Sequence, residues 1–137
     1  MKSMENNEET LSSSRVYLEE QNALIRAGKY WNCLTAAREL SARLLAAGKS
    51  PWIARLRKTE DRGGRTFHAP LIPLGLGVTP AWTTHYVCCC DRVAYDALAG
   101  RPLPIEMYSL EVFGEQISLE VFVTVEELPA YLAGKRA

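Results

Sequence analysis

A chain of 137 residues, 47% hydrophobic and 23% charged, has the length of one domain and enough apolar content to bury a core without disulfide or metal support. Lys plus Arg equal Asp plus Glu at 16 each, a formal net charge of zero, which argues against a general electrostatic grip on nucleic acid or an anionic membrane. No apolar run approaches the roughly 18 residues of a membrane span. The polar N-terminus lacks a signal-peptide core, so the expected location is cytoplasmic, or that of a domain cut from a longer secreted effector.

In chain order, residues 1–13 are rich in Glu, Asn and Ser and are expected as a flexible tail ahead of one domain over 14–137. Residues 14–27 read as a helix, with Ser14 a possible N-cap and Gly28 a stop. Asn32 is a preferred N-cap residue, and a second helix is expected over 33–47. There Cys33, Ala37, Leu40 and Leu44 form one apolar stripe, and Gly48 with Pro51 marks the end. The period then changes to two. Strands are expected over 52–58 and 66–72 around a turn holding Gly63-Gly64, followed by a Gly/Pro-rich loop over 73–80. Two further strands, 82–90 and 93–98, meet at Asp91-Arg92. A loop over 99–104, a short helix over 105–113, a strand over 117–124 and a closing helix over 125–133 complete the chain. Helices first and an antiparallel sheet after them make an α+β arrangement, with the 33–47 helix packed on the sheet.

Cys33 carries the clearest chemical signal. A cysteine in the first turn of a helix lies near unpaired N–H groups and the positive end of the helix dipole. Both favour the thiolate, which is the nucleophile; the plainer alternative is a small buried apolar residue. On the strands, a two-residue turn at Asp91-Arg92 pairs Cys90 with Val93. His85, Val87 and Cys89 then share a face with Ala94, Asp96 and Leu98. His85 and Asp96 become diagonal neighbours about 7 Å apart at the backbone. A carboxylate there can accept the imidazole N–H and fix its tautomer. His68 is a rival base without an acidic partner at such a diagonal. Cys88, Cys89 and Cys90 are adjacent on a strand and point alternately to opposite faces, so they cannot close on one tetrahedral ion. Gly75 and Gly77 lack the Lys-Ser/Thr pair and helix start of a phosphate loop. The basic run Arg55, Arg57, Lys58, Arg62 and Arg65 reads as a solvated strand pair.

The segments WNCLTAARELSARLLAAGKSPWIARL and WTTHYVCCCDRVAYDALAGRPLPIEMYSLEVFG resemble the compact papain-like and transglutaminase-like cysteine domains of bacteria, among them papain-fold toxin and glutamine-deamidase effector domains. These share a Cys opening a central helix, a His on a strand and an Asp on the next strand after a tight turn. The resemblance implies a papain-like fold with Cys33 as nucleophile, His85 as base and Asp96 as the residue that orients it. It departs at Trp31, where the families often have Gly, and at Ala97, where they often have Pro. The function implied is cysteine-dependent acyl transfer (amidase, peptidase, deamidase or transglutaminase-like) on a protein or peptide-like amide, with no cofactor, no metal, no nucleic acid and no membrane partner. The alternative is a catalytically inactive papain-like fold that binds proteins, with the 73–80 loop and Trp82 as its edge. For an oxyanion, the Cys33 backbone N–H is a natural donor, with Asn32 and Gln21 as side-chain candidates.

Overall fold

The structure, a computed structural model, describes residues 2–29, 31–76 and 83–134, with side chains from Ser12 onward. Helix α1 spans Lys2–Arg26, so it begins well before the expected start at Ser14. Residues 2–13 contain no Pro or Gly and include Met4, Glu5, Glu8, Glu9 and Leu11, all good helix formers. Ser14 is not a cap: it is fully buried inside the helix one turn before Leu18, which is buried too. The Ser13 carbonyl and hydroxyl accept hydrogen bonds from Arg43 at 3.2 and 2.9 Å, which ties this part of α1 to the next helix. Helix α2 spans Cys33–Ala46, and the Asn32 side chain accepts the Thr35 N–H at 2.9 Å, as its capping role requires.

Six strands follow: β1 (Trp52–Arg62), β2 (Arg65–Ala69), β3 (Thr84–Cys90), β4 (Val93–Asp96), β5 (Arg101–Pro104) and β6 (Leu119–Val123). They form one antiparallel sheet in the order β2-β1-β3-β4-β5, with β6 also paired to β1. Strand β1 is longer than expected, running straight into a tight turn at Gly63-Gly64, whose φ angles of 57° and 80° suit glycine. Residues 101–104, expected as loop, pair with β4 from Asp96↔Arg101 to Val93↔Pro104. Pro102 and Pro104 are tolerated there because β5 is an edge strand and needs to donate on one side only. Helix α3 (Ile105–Phe113) and the short helix α4 (Leu128–Leu132) complete the fold. Trp82 and the part of the 73–80 loop beyond Leu76 lie outside the described residues.

The sheet is covered on both faces. The α2 stripe does pack on the sheet: Ala37, Leu40 and Leu44 share a core with Ile53, Cys88, Cys90 and Tyr95. Val87, Cys89 and Ala94 belong to the other core, with Leu56, Tyr108, Val112 and Phe113. Successive strand side chains alternate between faces, so His85 points away from the body of α2, toward α3. Among the described residues, no helix is long and apolar enough to cross a membrane.

Candidate active site

The site begins at the β3–β4 turn. Asp91 and Arg92 have φ of 52° and 65°, the left-handed pair of a two-residue hairpin turn built without glycine. The turn sets Cys90↔Val93, Cys89↔Ala94 and Cys88↔Tyr95. Beyond that point the ladder stops, because β4 ends at Asp96, whereas β3 continues back to Thr84. The stretch of β3 around His85 and Tyr86 is therefore uncovered on its β4 side. The first turn of α2 fills that position, and the Tyr86 backbone N–H donates to the Cys33 sulfur. In this way a cysteine on the helix of one face meets a histidine that points to the other face: contact is made past the end of β4.

The expected diagonal is present. His85 Nε2 lies 2.7 Å from Asp96 Oδ2, with both side chains buried. An ionised carboxylate only accepts, so Nε2 carries the proton and donates. That engages Nε2 with Asp96, while Cys33 interacts with His85 through hydrogen bonding and charge. Asp96 is held by two further donors. The Leu98 N–H donates to Oδ1 at 3.0 Å, and the fully buried Tyr108 hydroxyl donates to Oδ2, the oxygen that also receives His85. Two aromatic rings pack around the imidazole, Trp31 with centroids 6.0 Å apart and Phe113 at 5.9 Å, edge on.

Electrostatics follow from this geometry. Burial pushes the half-buried Cys33 thiol up, but the hydrogen bond and positive charge of His85, with the Tyr86 N–H, outweigh it and hold the thiol below its ordinary value. Burial alone would lower His85. The Asp96 carboxylate, through charge and hydrogen bond, and then Cys33 reverse this and raise it to about 10. Both shifts favour the thiolate–imidazolium form of the pair over the neutral one. The other three thiols are pushed the opposite way, chiefly by burial, Cys88 to about 12 and Cys89 and Cys90 also upward.

The remaining sequence candidates lie elsewhere. His68 is exposed on β2 opposite Thr59. Cys88 and Cys90 face α2, where Ser41 Oγ donates to Cys88 Sγ at 3.3 Å, and Cys89 faces α3. No group of His, Cys, Asp and Glu residues able to hold a metal occurs among the described residues. Gly77 falls outside them. The basic run forms surface ion pairs, Arg57–Glu120, Lys58–Glu115 and Arg62–Glu60. An open groove of about 540 Å³ between Arg57, Lys58, Glu115 and Glu120 includes no member of the Cys33–His85–Asp96 group.

Three residues of the site were not legible beforehand: Tyr108, Phe113 and, as a contact of His85, Trp31. The 105–113 segment reads as a helix with Tyr108 and Val112 on one face, but no spacing ties Tyr108 to Asp96. Trp31 Nε1 is buried without a hydrogen-bond partner among the described residues, an arrangement that native structures seldom leave unexplained. Comparison with known proteins finds no protein family, no curated protein and no solved structure that matches this chain, so the reading of the site rests on its own geometry.

Proposed function

We propose that this protein is a cysteine-dependent acyl-transfer enzyme of papain-like plan, acting on an amide or thioester carbonyl with Cys33 as nucleophile, His85 as acid and base, and Asp96 as orienter. The observation that carries the reading is the single chain of interactions: Cys33 with His85, and His85 Nε2 with Asp96 Oδ2 at 2.7 Å. The order of a helix-borne Cys, a strand-borne His and an Asp on the next strand supports the papain-like and transglutaminase-like kinship.

The chemistry runs in two halves. The Cys33 thiolate attacks the carbonyl carbon, a sulfur–carbon bond forms, and the carbonyl π electrons move to oxygen. As this oxyanion collapses, the carbon–nitrogen bond breaks and the His85 imidazolium gives its proton to the departing amine. The neutral imidazole then takes a proton from water, or from an acceptor amine, which attacks the thioester and releases the acyl group and the thiolate. Asp96 holds the tautomer and stabilises the imidazolium throughout. Two donors suit the oxyanion: the Cys33 backbone N–H at the helix start and the Trp31 indole N–H, which has no hydrogen-bond partner among the described residues. The Asn32 oxygen is already engaged as the α2 cap.

The test is cysteine-resolved reactivity. Full-length protein is treated with iodoacetamide across a pH series and, separately, with p-nitrophenyl acetate, and adducts are mapped by peptide mass. Cys33 should react at least ~10-fold faster than Cys88, Cys89 and Cys90 at pH 7, given one depressed and three elevated thiols. An acetyl adduct should form on Cys33 with a burst of p-nitrophenolate. Cys33→Ala should keep the fold, since it places a good helix former in a helix, and abolish both signals. Equal, slow modification of all four thiols would sink the enzyme reading and leave a protein-binding domain.

A further inference from the structure

We propose that Tyr108 is a positioning residue of this site: its buried hydroxyl, bonded to the Asp96 oxygen that also holds His85, locks the carboxylate and through it the imidazole against Cys33. The inference rests on the acyl-transfer reading and adds to it a fourth residue, supplied by α3.

Tyr108 lies fully buried in the core of Leu56, Val87, Cys89, Val112 and Phe113. For packing alone a phenylalanine would serve, since a buried hydroxyl costs free energy unless it is bonded. Its partner is the carboxylate of the residue that orients the base. Asp96 can turn about its last side-chain bond, and a single anchor would leave its second oxygen free to swing. Here each oxygen has its own anchor, the Leu98 N–H on Oδ1 and the Tyr108 hydroxyl on Oδ2. The plane of the carboxylate is thus set from both ends before His85 is considered, and the imidazole meets Oδ2 in one place.

The shared oxygen also has an electrostatic consequence. A donor on Oδ2 takes up part of the Asp96 charge, so the carboxylate holds the imidazolium without cancelling its pull on the thiolate. Among the described residues, the groups facing His85 include Asp96, Cys33 and the rings of Trp31 and Phe113. Asp96 meets His85, Tyr108 and the Leu98 N–H. Cys89 shares the α3-side core and stays neutral because burial pushes its thiol up. Burial and Asp96 likewise raise the Tyr108 phenol, which keeps it protonated as a donor.

The experiment compares wild type, Tyr108→Phe and Val112→Ala, each as the full chain, by the pH profile of Cys33 alkylation and by melting temperature. Val112→Ala weakens the same core without touching Asp96. Tyr108→Phe should move the alkylation inflection up by about half a pH unit and slow alkylation at pH 7 several-fold, as Asp96 charge is freed beside the thiolate. Val112→Ala should lower the melting temperature and leave the profile unmoved. A Tyr108→Phe profile that superimposes on wild type, whatever its melting temperature, overturns the inference. Should Tyr108→Phe fail to fold, fluorotyrosine at position 108 changes donor strength at nearly constant size, and an unchanged inflection there overturns it equally. A wild-type inflection at the ordinary thiol value overturns the acyl-transfer reading and this inference together; a depressed wild-type inflection that Tyr108→Phe does not move overturns this inference alone.

Discussion

Trp31 stands two positions before Cys33, with its ring against His85 and its indole N–H buried without an acceptor among the described residues. A ring that only excludes water and a ring that also donates to a developing oxyanion respond differently to the loss of one N–H. Trp31→Phe keeps an aromatic face on the imidazole. If the N–H serves the oxyanion, turnover should fall ~10²–10³-fold, the usual cost of losing one such donor, while iodoacetamide alkylation, which builds no oxyanion, stays within a few-fold of wild type. Parallel steady-state and alkylation rates check this, and equal changes in both would reduce Trp31 to a shield.

At the scale of elements, α1 braces the turn that follows Asp96. The Asn22 side chain donates to the Ala97 and Leu98 carbonyls at 2.9 and 3.3 Å, and Arg26 donates to the Asn22 oxygen at 2.8 Å. Gly100 lies beneath this contact with φ of 73°, and a β-carbon there would come within 2.9 Å of Asn22 Cγ. Gly100→Ala therefore combines a strained backbone with a displaced Asn22. Stability should fall by more than ~1 kcal/mol, read by denaturant unfolding. Because the Leu98 N–H also anchors Asp96, Cys33 alkylation at pH 7 should slow as well. Destabilisation with unchanged alkylation would show that the turn can shift without moving Asp96.

Across the whole molecule, the buried His85–Asp96 pair makes stability depend on pH. His85 is raised from 6.5 to about 10 in the folded state. Its contribution is therefore fully present below about 6.5 and is lost as pH rises through about 10. Asp96→Asn removes the charge that raises His85 and leaves an amide among donors arranged for a carboxylate. The variant should be less stable by ~1–3 kcal/mol at pH 7, as for a disrupted buried hydrogen bond. The stability gap to wild type should be widest near pH 6 and narrow above about pH 10. A gap that is constant across this range would mean that His85 is not charged in the folded protein. On the proposed acyl-transfer mechanism, turnover should also drop ~10²–10⁴-fold, because the imidazole would lose its orienter.

Much of this architecture was legible from local rules. The α2 start at Asn32-Cys33, the Gly63-Gly64 turn and the β3–β4 hairpin each follow from a cap, a left-handed turn or a period that acts over a few residues. The His85–Asp96 diagonal follows as well, because a two-residue turn leaves one register for the strands beyond it. Three features were decided only by the tertiary structure. The early start of α1 is supported by Arg43 on another helix, thirty positions along the chain. The face on which α2 packs depends on which set of alternating β3 side chains meets it, and periodicity shows two such sets without choosing between them. The meeting of Cys33 and His85 past the end of β4 joins segments from opposite faces of one sheet, and that of Tyr108 with Asp96 joins a strand to the helix that covers it. Spacing along the chain carries no information about such contacts, because they are fixed by where one strand stops and which helix covers the gap.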